Sequence, residues 1–266
     1  MTTFTPQLIA LDLDGTLLGS DLKVSERTHD AIQKLKTQGI QIVLCTGRPP
    51  RYTREIAAKL GLSETVIVYN GASIHNFEAG TAQHLHQLAP DTAAQVVTAV
   101  RQTHPEVSAL IETTKGWFID EALYLKNISN IEKNGVLPDG HGDVLEFLTY
   151  GAIKVLFRHP ELEAATLAQP LAELDVYTTW SHSSLLEVQH KSVNKRAALI
   201  HLCQTLNLDS SQVAAFGDQN NDIEMLTWAG YGVAMGNACD AAKQAADFVT
   251  LSNDENGVAE VLERWL

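Results

Sequence analysis

Four apolar runs, each ending on a short polar tip, constrain this 266-residue chain more than any other feature. Gln7-Leu8-Ile9-Ala10-Leu11 leads into Asp12-Leu13-Asp14-Gly15-Thr16, and Ile40 to Thr46 leads into Gly47-Arg48-Pro49. Val66-Ile67-Val68-Tyr69 ends on Asn70-Gly71-Ala72, and Val213-Ala214-Ala215-Phe216 on Gly217-Asp218-Gln219-Asn220-Asn221-Asp222. An unbroken apolar run reads as a strand buried on both faces, the usual strand of a parallel sheet covered by helices. Helical stretches separate the runs: Ser25 to Gln38 with Gly39 as its stop, Lys195 to Leu206, and Asp222 to Trp228. Strand, polar tip, helix is the sequence form of an α/β fold with a doubly wound parallel sheet. The four tips are then expected along one edge, where ligands of such sheets bind.

Between residues 82 and 186 the character changes. Val107 to Glu112, Gly116 to Ile119, Lys154 to Arg158 and Val176 to Trp180 read as strands, Thr92 to Gln102 and Glu161 to Glu173 as helices, and Gly135 to Asp143 as loop. This mixed order without polar tips predicts an inserted α+β domain over 82–186, with 1–81 and 187–266 forming one domain around it. His84-Leu85-His86 alternates on an apparent strand, which puts both rings on one face. Exposed sheet histidines are the ordinary reading, and a metal pair is the alternative.

Composition narrows the function. A hydrophobic content of 45% suffices for packed cores. The net charge of −13 argues against nucleic acid or an anionic membrane as partner, because both are bound through excess Lys and Arg. The N-terminus has no basic leader and no apolar run is long enough to span a bilayer, so a cytoplasmic protein is expected. Cys45, Cys203 and Cys239 lie far apart in apolar surroundings and read as buried, reduced thiols. The spacing of Gly230, Gly232 and Gly236 does not fit a dinucleotide fingerprint, and no P-loop sequence occurs.

The tips carry the chemistry. Asp12 and Asp14 would stand at the mouth of a site, where two carboxylates need an offset. A hard divalent cation such as Mg²⁺ supplies one and is commonly held by one or two carboxylates plus substrate phosphate. Taken alone, an Asp-x-Asp-Gly at a strand end is ordinary turn chemistry, and Thr46 is an ordinary cap or turn residue. Lys195 opens a helix, where a cation opposes the helix dipole unless an anionic partner lies near; an exposed surface lysine is the alternative. Asp222 fits a plain helix N-cap.

Taken together, Asp12-Leu13-Asp14-Gly15-Thr16, Thr46-Gly47-Arg48, Lys195 and Gly217-Asp218-x-x-Asn221-Asp222 resemble the four motifs of the haloacid dehalogenase superfamily. Asn70-Gly71-Ala72 and Met235-Gly236-Asn237-Ala238 add to the likeness, and the insertion is similar to the cap of the Cof-type, subfamily IIB hydrolases. The resemblance implies a Rossmann-like core with an inserted cap of the C2B type for substrate selection. It also implies a Mg²⁺-dependent phosphatase acting on small phosphorylated metabolites, such as sugar phosphates, pyridoxal phosphate or flavin mononucleotide, through an aspartyl phosphate.

In that scheme Asp12 is the nucleophile, and Asp14 protonates the leaving alcohol and then activates water. The metal is held by Asp12, the Asp14 backbone carbonyl and Asp218. Thr46, Gly47, Lys195 and Asn221 bind phosphate, and Asp222 orients Lys195 or a metal-bound water. Arg48 reaches the substrate or forms a surface salt bridge. Trp117, Trp180 and His182 line the leaving-group pocket or serve the cap's own core. The alternatives are a phosphomutase, which uses similar motifs, and a sensor that binds a phosphorylated ligand without turnover. The complete set of Asp12, Asp14, Lys195 and Asp218 disfavours the sensor, since binding alone needs no free acid beside a nucleophile. The sequence carries no signature of an oligomeric state.

Overall fold

In the computed structural model, which describes residues 4–266 and only the backbone of Asn130, Glu132, Asn134, Ser181 and His182, the first apolar run becomes strand β1 (Leu8–Leu11). All four of its side chains are fully buried. Helix α1 (Glu26–Thr37) follows, capped by Ser25, whose Oγ accepts from the Thr28 N–H at 3.1 Å. It buries Ala31, Ile32 and Leu35, one face at helical spacing. Then come β2 (Gln41–Cys45), α2 (Pro50–Leu60), β3 (Val66–Val68), β4 (Ser73–Asn76) and β5 (Thr81–His84).

The middle of the chain forms α3 (Pro90–Thr103), β6 (Ser108–Thr113), β7 (Gly116–Asp120), α4 (Glu121–Asn134) and β8 (Gly140–Gly142). It continues with β9 (Lys154–Arg158), α5 (Ala164–Ala168), β10 (Val176–His182) and β11 (Leu185–His190). The last third forms α6 (Lys195–Leu206), β12 (Val213–Gly217), α7 (Ile223–Trp228), β13 (Tyr231–Ala234), α8 (Asp240–Ala245), β14 (Phe248–Val249) and α9 (Gly257–Leu262).

The first and last thirds build one sheet in the order β14-β13-β12-β1-β2-β3-β4-β5. Strands β14 through β3 are parallel, and β4 and β5 add an antiparallel edge. From β1 the chain steps outward through β2 and β3, returns to place β12 on the other side of β1, and steps outward again. The gap between β1 and β12 is thus the point where strand order reverses, and ligands of such sheets bind there.

The middle third builds its own sheet, β10-β11-β9-β6-β7-β8, antiparallel except for the pairing of β7 with β8. Ala109, Ile111, Val155, Phe157, Leu186 and Val188 of this sheet share a core with Ala93, Val96, Val97 and Val100 of α3. Asp120 ties the layers together: it accepts from Arg101 at 2.6 Å and from the Ala109 N–H at 2.6 Å.

The two compact units divide at Leu85/His86 and Val193/Asn194. These divisions correct the expected 81/82 and 186/187, because β5 pairs with β4 in the first sheet while β11 pairs with β9 and β10 in the second. Gly135 to Asp143, read as loop, contains β8, a three-residue strand whose two glycines carry no strand signal. The helix expected over Glu161 to Glu173 is α5 followed by one 3-10 turn at Gln169–Leu171, since Pro170 cannot continue an α-helix. The shared face of His84 and His86 does not form. Strand β5 stops at His84, which bonds Ser73 at 2.7 Å, and His86 stacks on His190 in the other unit, ring centroids 5.2 Å apart. Cys45 and Cys203 are buried as expected, whereas Cys239 is half-buried beside the polar tip of β12; all three are free thiols.

Phe157 is fully buried in the second unit. Phe157→Ala is expected to lower stability by about 3–5 kcal/mol, the usual cost of emptying an aromatic core position, as read by denaturant unfolding.

Candidate active site

Leu11 and Phe216 are paired at the ends of β1 and β12, and the Asp12 N–H donates to the Phe216 carbonyl at 3.1 Å. Asp12 and Asp218 therefore emerge side by side at the reversal point. The loop after β1 must turn sharply against Asp218: Gly15 has φ +75°, and a Cβ there would lie 2.4 Å from Asp218 Oδ2. The next residue, Thr16, donates its hydroxyl to Asp218 Oδ1 at 3.0 Å, and Gln219 Nε2 donates to Asp218 Oδ2 at 3.0 Å.

Lys195 is the first residue of α6, behind an Asn194 cap whose Oδ1 accepts from the Ala197 N–H at 2.6 Å. Its side chain is fully buried, and Nζ donates to Asp12 Oδ1 at 2.5 Å and to Asp222 Oδ1 at 2.6 Å. The second oxygen of Asp222 accepts from the N–H groups of Asp218 and Gln219, both at 3.0 Å. Asp222 thus orients Lys195 and shapes the tip of β12 at once.

On the other side of β1, the Thr46 hydroxyl accepts from the Arg48 N–H at 3.1 Å and the Thr46 carbonyl from the Asn70 N–H at 2.9 Å. Asn70 Oδ1 accepts from Asn221 Nδ2 at 3.1 Å, which knits the tips of β3 and β12. A Cβ on Gly47 would lie 2.7 Å from that same oxygen, so a larger residue would displace the Asn70 side chain from its bond to Asn221. Arg48 grips Asp14 with two parallel bonds, Nε to Oδ2 at 2.7 Å and Nη2 to Oδ1 at 2.5 Å.

Electrostatics follow from this packing. Burial works against the Lys195 charge, but Asp12 and Asp222 outweigh it and push its proton affinity up, so it stays cationic. Burial raises Asp12 against the pull of Lys195, with Asp222 and Asp218 adding to the rise. Asp218 is pushed up to about 6 by burial and by the Asp222 charge. Asp12, Asp218 and Asp222 are buried, and each offers an oxygen within 4.8 Å of the others. Three carboxylates around one ammonium leave two negative charges uncompensated on hard oxygen donors, a set that suits a divalent cation such as Mg²⁺. Asp222 already serves Lys195 and two N–H groups, and the Asp14 carboxylate is committed to Arg48.

The structure gathers Asp12, Asp14, Thr46, Gly47, Arg48, Lys195, Asp218, Asn221 and Asp222 in the first unit. Trp117, Trp180 and His182 belong to the second: Trp117 is buried, Trp180 is 43% exposed, and the His182 side chain lies outside the described residues. Thr16, Asn70 and Gln219 were not singled out as site residues. Thr16 belongs to the first tip, and Asn70-Gly71 is left-handed turn chemistry, so two of the three carried a readable signal.

Fold and site together define an α/β enzyme with a carboxylate centre suited to a cation and an anionic ligand. Residues 9–262 match the haloacid dehalogenase-like hydrolases, and the chain belongs to this family. It is 32% identical over 268 residues to the 5-amino-6-(5-phospho-D-ribitylamino)uracil phosphatase YitU of Bacillus subtilis strain 168, covering 98% of this chain and 97% of that one. A phosphatase of the haloalkanoate superfamily from Bacteroides thetaiotaomicron superposes with a TM-score of 0.82 at 28% identity, covering 99% of this chain and 96% of that one. A sugar phosphatase of subclass IIB, 20% identical, shares the fold with a TM-score of 0.83 over 97% of this chain and 98% of its own. The chain is a hydrolase of the phosphatase type, with the subclass IIB fold.

Asp218 sets a pH dependence. Its folded-state value of about 6 lies above the ordinary 3.8, so the folded chain holds this proton more tightly than the unfolded chain. The resulting stability is complete below pH 3.8 and is lost as pH rises through 6. A shift of this size is worth about 3 kcal/mol. Denaturant titrations in EDTA are expected to show this loss, and Asp218→Asn to flatten it.

Proposed function

We propose that this chain is a Mg²⁺-dependent phosphatase that hydrolyses small phosphorylated metabolites through an aspartyl phosphate on Asp12. The observation that carries the reading is the contrast between two neighbouring carboxylates. Asp12 is 5% exposed and held by the Lys195 ammonium, while the Asp14 side chain is 49% exposed and lies outside the carboxylate cluster. A nucleophile must be ionised and fixed; Lys195 fixes Asp12 and pulls it toward the ionised form against the opposing effect of burial. A proton carrier must reach the leaving oxygen, and Asp14 has that access.

In the first half of the reaction an Asp12 oxygen attacks phosphorus, the ester P–O bond breaks, and the leaving oxygen takes a proton from Asp14. In the second half water attacks phosphorus, gives its proton to Asp14, and returns the P–O electron pair to Asp12. Thr46, the Gly47 N–H, Lys195 and Asn221 hold the phosphoryl oxygens. Mg²⁺, when bound by Asp12, Asp218 and the Asp14 carbonyl, supplies neutralisation of the charge on the transferring group.

Substrate selection falls to the inserted unit, with Trp117, Trp180 and His182 as candidate contacts to the leaving group. Two of the similar proteins act, by name, on a phosphorylated ribityl compound and on sugar phosphates. This supports a polyhydroxylated leaving group, a class that includes the ribityl chain of flavin mononucleotide, ahead of pyridoxal phosphate. The free thiols of Cys45, Cys203 and Cys239 suit a reducing, cytoplasmic setting.

Phosphate release from a panel of sugar, polyol and cofactor phosphates tests the reading. Release is expected to require Mg²⁺, to stop in EDTA, and to fall to background in Asp12→Asn. Asp14→Asn is expected to lower kcat/KM on alkyl phosphates by about 10²–10⁴-fold, the range of general acid–base catalysis. Full activity of either variant, or release indifferent to EDTA, refutes the mechanism.

A further inference from the structure

The second sheet has one apolar face and one polar face, and the polar face is buried as well. Side chains alternate along a strand, so Ala109, Ile111, Val155, Phe157, Leu186 and Val188, which share the core with α3, send their chain neighbours to the opposite side. Cross-strand pairing lines those neighbours up. Trp117 on β7 pairs with Glu112 on β6, and Glu112 pairs with Lys154 on β9. The register that pairs Val155 with Val188 puts Gln189 of β11 opposite Lys154, and Gln189 pairs in turn with Tyr177 on β10. Glu187, two residues before Gln189 and on the same face, accepts from Lys154 Nζ at 2.6 Å. A row of polar side chains thus crosses the sheet with an aromatic residue at each end. Glu112, Lys154, Glu187 and Gln189 are each no more than 6% exposed.

Stability explains such a row poorly. Apolar replacement of a buried ion pair is often neutral or favourable, and β6, β9 and β11 carry Ala, Ile, Val, Phe and Leu on their other face. The row has a definite chemistry instead. Lys154 offers only donors, the two glutamates only acceptors, and Gln189 both. Lys154 sets the row against a cationic ligand, and the two carboxylates set it against an anionic one. A neutral group with several hydroxyls fits, since each hydroxyl both donates and accepts, and Trp117 and Tyr177 add apolar surface with a polar tip. Resting on the phosphatase reading above, we propose that Glu112, Lys154, Glu187 and Gln189 form the subsite that recognises the leaving group, and that this group is uncharged and polyhydroxylated.

Phosphate release from a matched pair of substrates tests the proposal. Ribitol 5-phosphate and n-pentyl phosphate share a five-carbon chain and differ only in their hydroxyls. With Mg²⁺ present, the wild type is expected to favour ribitol 5-phosphate in kcat/KM by about 10²-fold or more, because a site built to bond hydroxyls rejects the analogue without them. 3-Phosphoglycerate and phosphoethanolamine, whose leaving groups are charged, are expected to rank below ribitol 5-phosphate. Lys154→Met combined with Glu187→Leu removes both charges at similar size and is expected to lower the ribitol-to-pentyl ratio about tenfold or more. Glu112→Gln, nearly isosteric, is expected to lower the same ratio about tenfold. Thermal melting of each variant confirms that it is folded.

An equal loss on both substrates, with the ratio unchanged, is the signature of a purely structural row and overturns the proposal. So does a wild type indifferent to the hydroxyls, or one that favours a charged leaving group. Absence of release from every substrate, p-nitrophenyl phosphate included, by folded protein with Mg²⁺ overturns the phosphatase reading itself, so the two failures are distinguishable.

Discussion

A lysine ammonium buried between two carboxylates is the interaction on which the rest of the site depends. Nζ of Lys195 touches Asp12 and Asp222, residues 183 and 27 positions away in sequence, so β1, the tip of β12 and the start of α6 must all be in place for it to be satisfied. Removing one member of such a buried set costs about 3–5 kcal/mol, whereas apolar replacement of the whole set is often neutral or favourable. Stability alone therefore gives little reason to keep it. The charges make sense as chemistry, because Lys195 sits where a cation opposes its own helix dipole and is held there by the two acids. Asp222 passes the constraint on, since its other oxygen takes the Asp218 and Gln219 N–H groups and so sets where Asp218 points.

The loops on the far side of β1 hold their shape at a conformational cost. Tyr69 and Asn70 are consecutive residues in the left-handed region, with φ 54° and 57°, and tyrosine rarely adopts it. Each such residue costs roughly 1–3 kcal/mol and persists only where its surroundings over-determine it. Here the surroundings do: the Tyr69 N–H donates to the Arg48 carbonyl, the Asn70 N–H to the Thr46 carbonyl, and the Asn70 side chain accepts from Asn221. The strained turn thus aligns three tips, and Gly47 leaves the space that alignment needs.

Much of this was legible in the sequence, for a physical reason. A strand buried on both faces leaves no apolar-polar alternation, so its end shows as an abrupt change to polar residues, and that change marks Asp12, Thr46, Asn70 and Asp218. The partners of those residues were less visible. Sequence spacing does not tell that Thr16 turns back onto Asp218, or that Arg48 pairs with Asp14, because both depend on loop conformation. The edge strand β4 carries no clear signal, and the strand read at His84 to His86 lies instead at Thr81–His84, since β5 is exposed along its length and has no buried face to impose a pattern. The unit boundaries shifted for the same reason: β5 and β11 are assigned by their pairing partners, which composition does not reveal.

The Asp-x-Asp pair shows how one residue type takes two roles two positions apart. Asp12 still lies in register with the sheet, donating its N–H to Phe216, and so is buried among charges that hold it rigid. Asp14 lies beyond that register, and the Gly15 turn leaves its side chain half in solvent. Each aspartate also meets a different cation. Lysine is a compact point charge that two carboxylates can share, which suits a nucleophile that must keep one oxygen available for attack. Arginine is a planar fork that occupies both oxygens of a single carboxylate and fixes its plane, which suits a group whose task depends on direction. Exchanging the two cations would keep every formal charge and lose the distinction, since an ammonium cannot set the plane of Asp14 and a guanidinium on Asp12 would cover the oxygen that has to react.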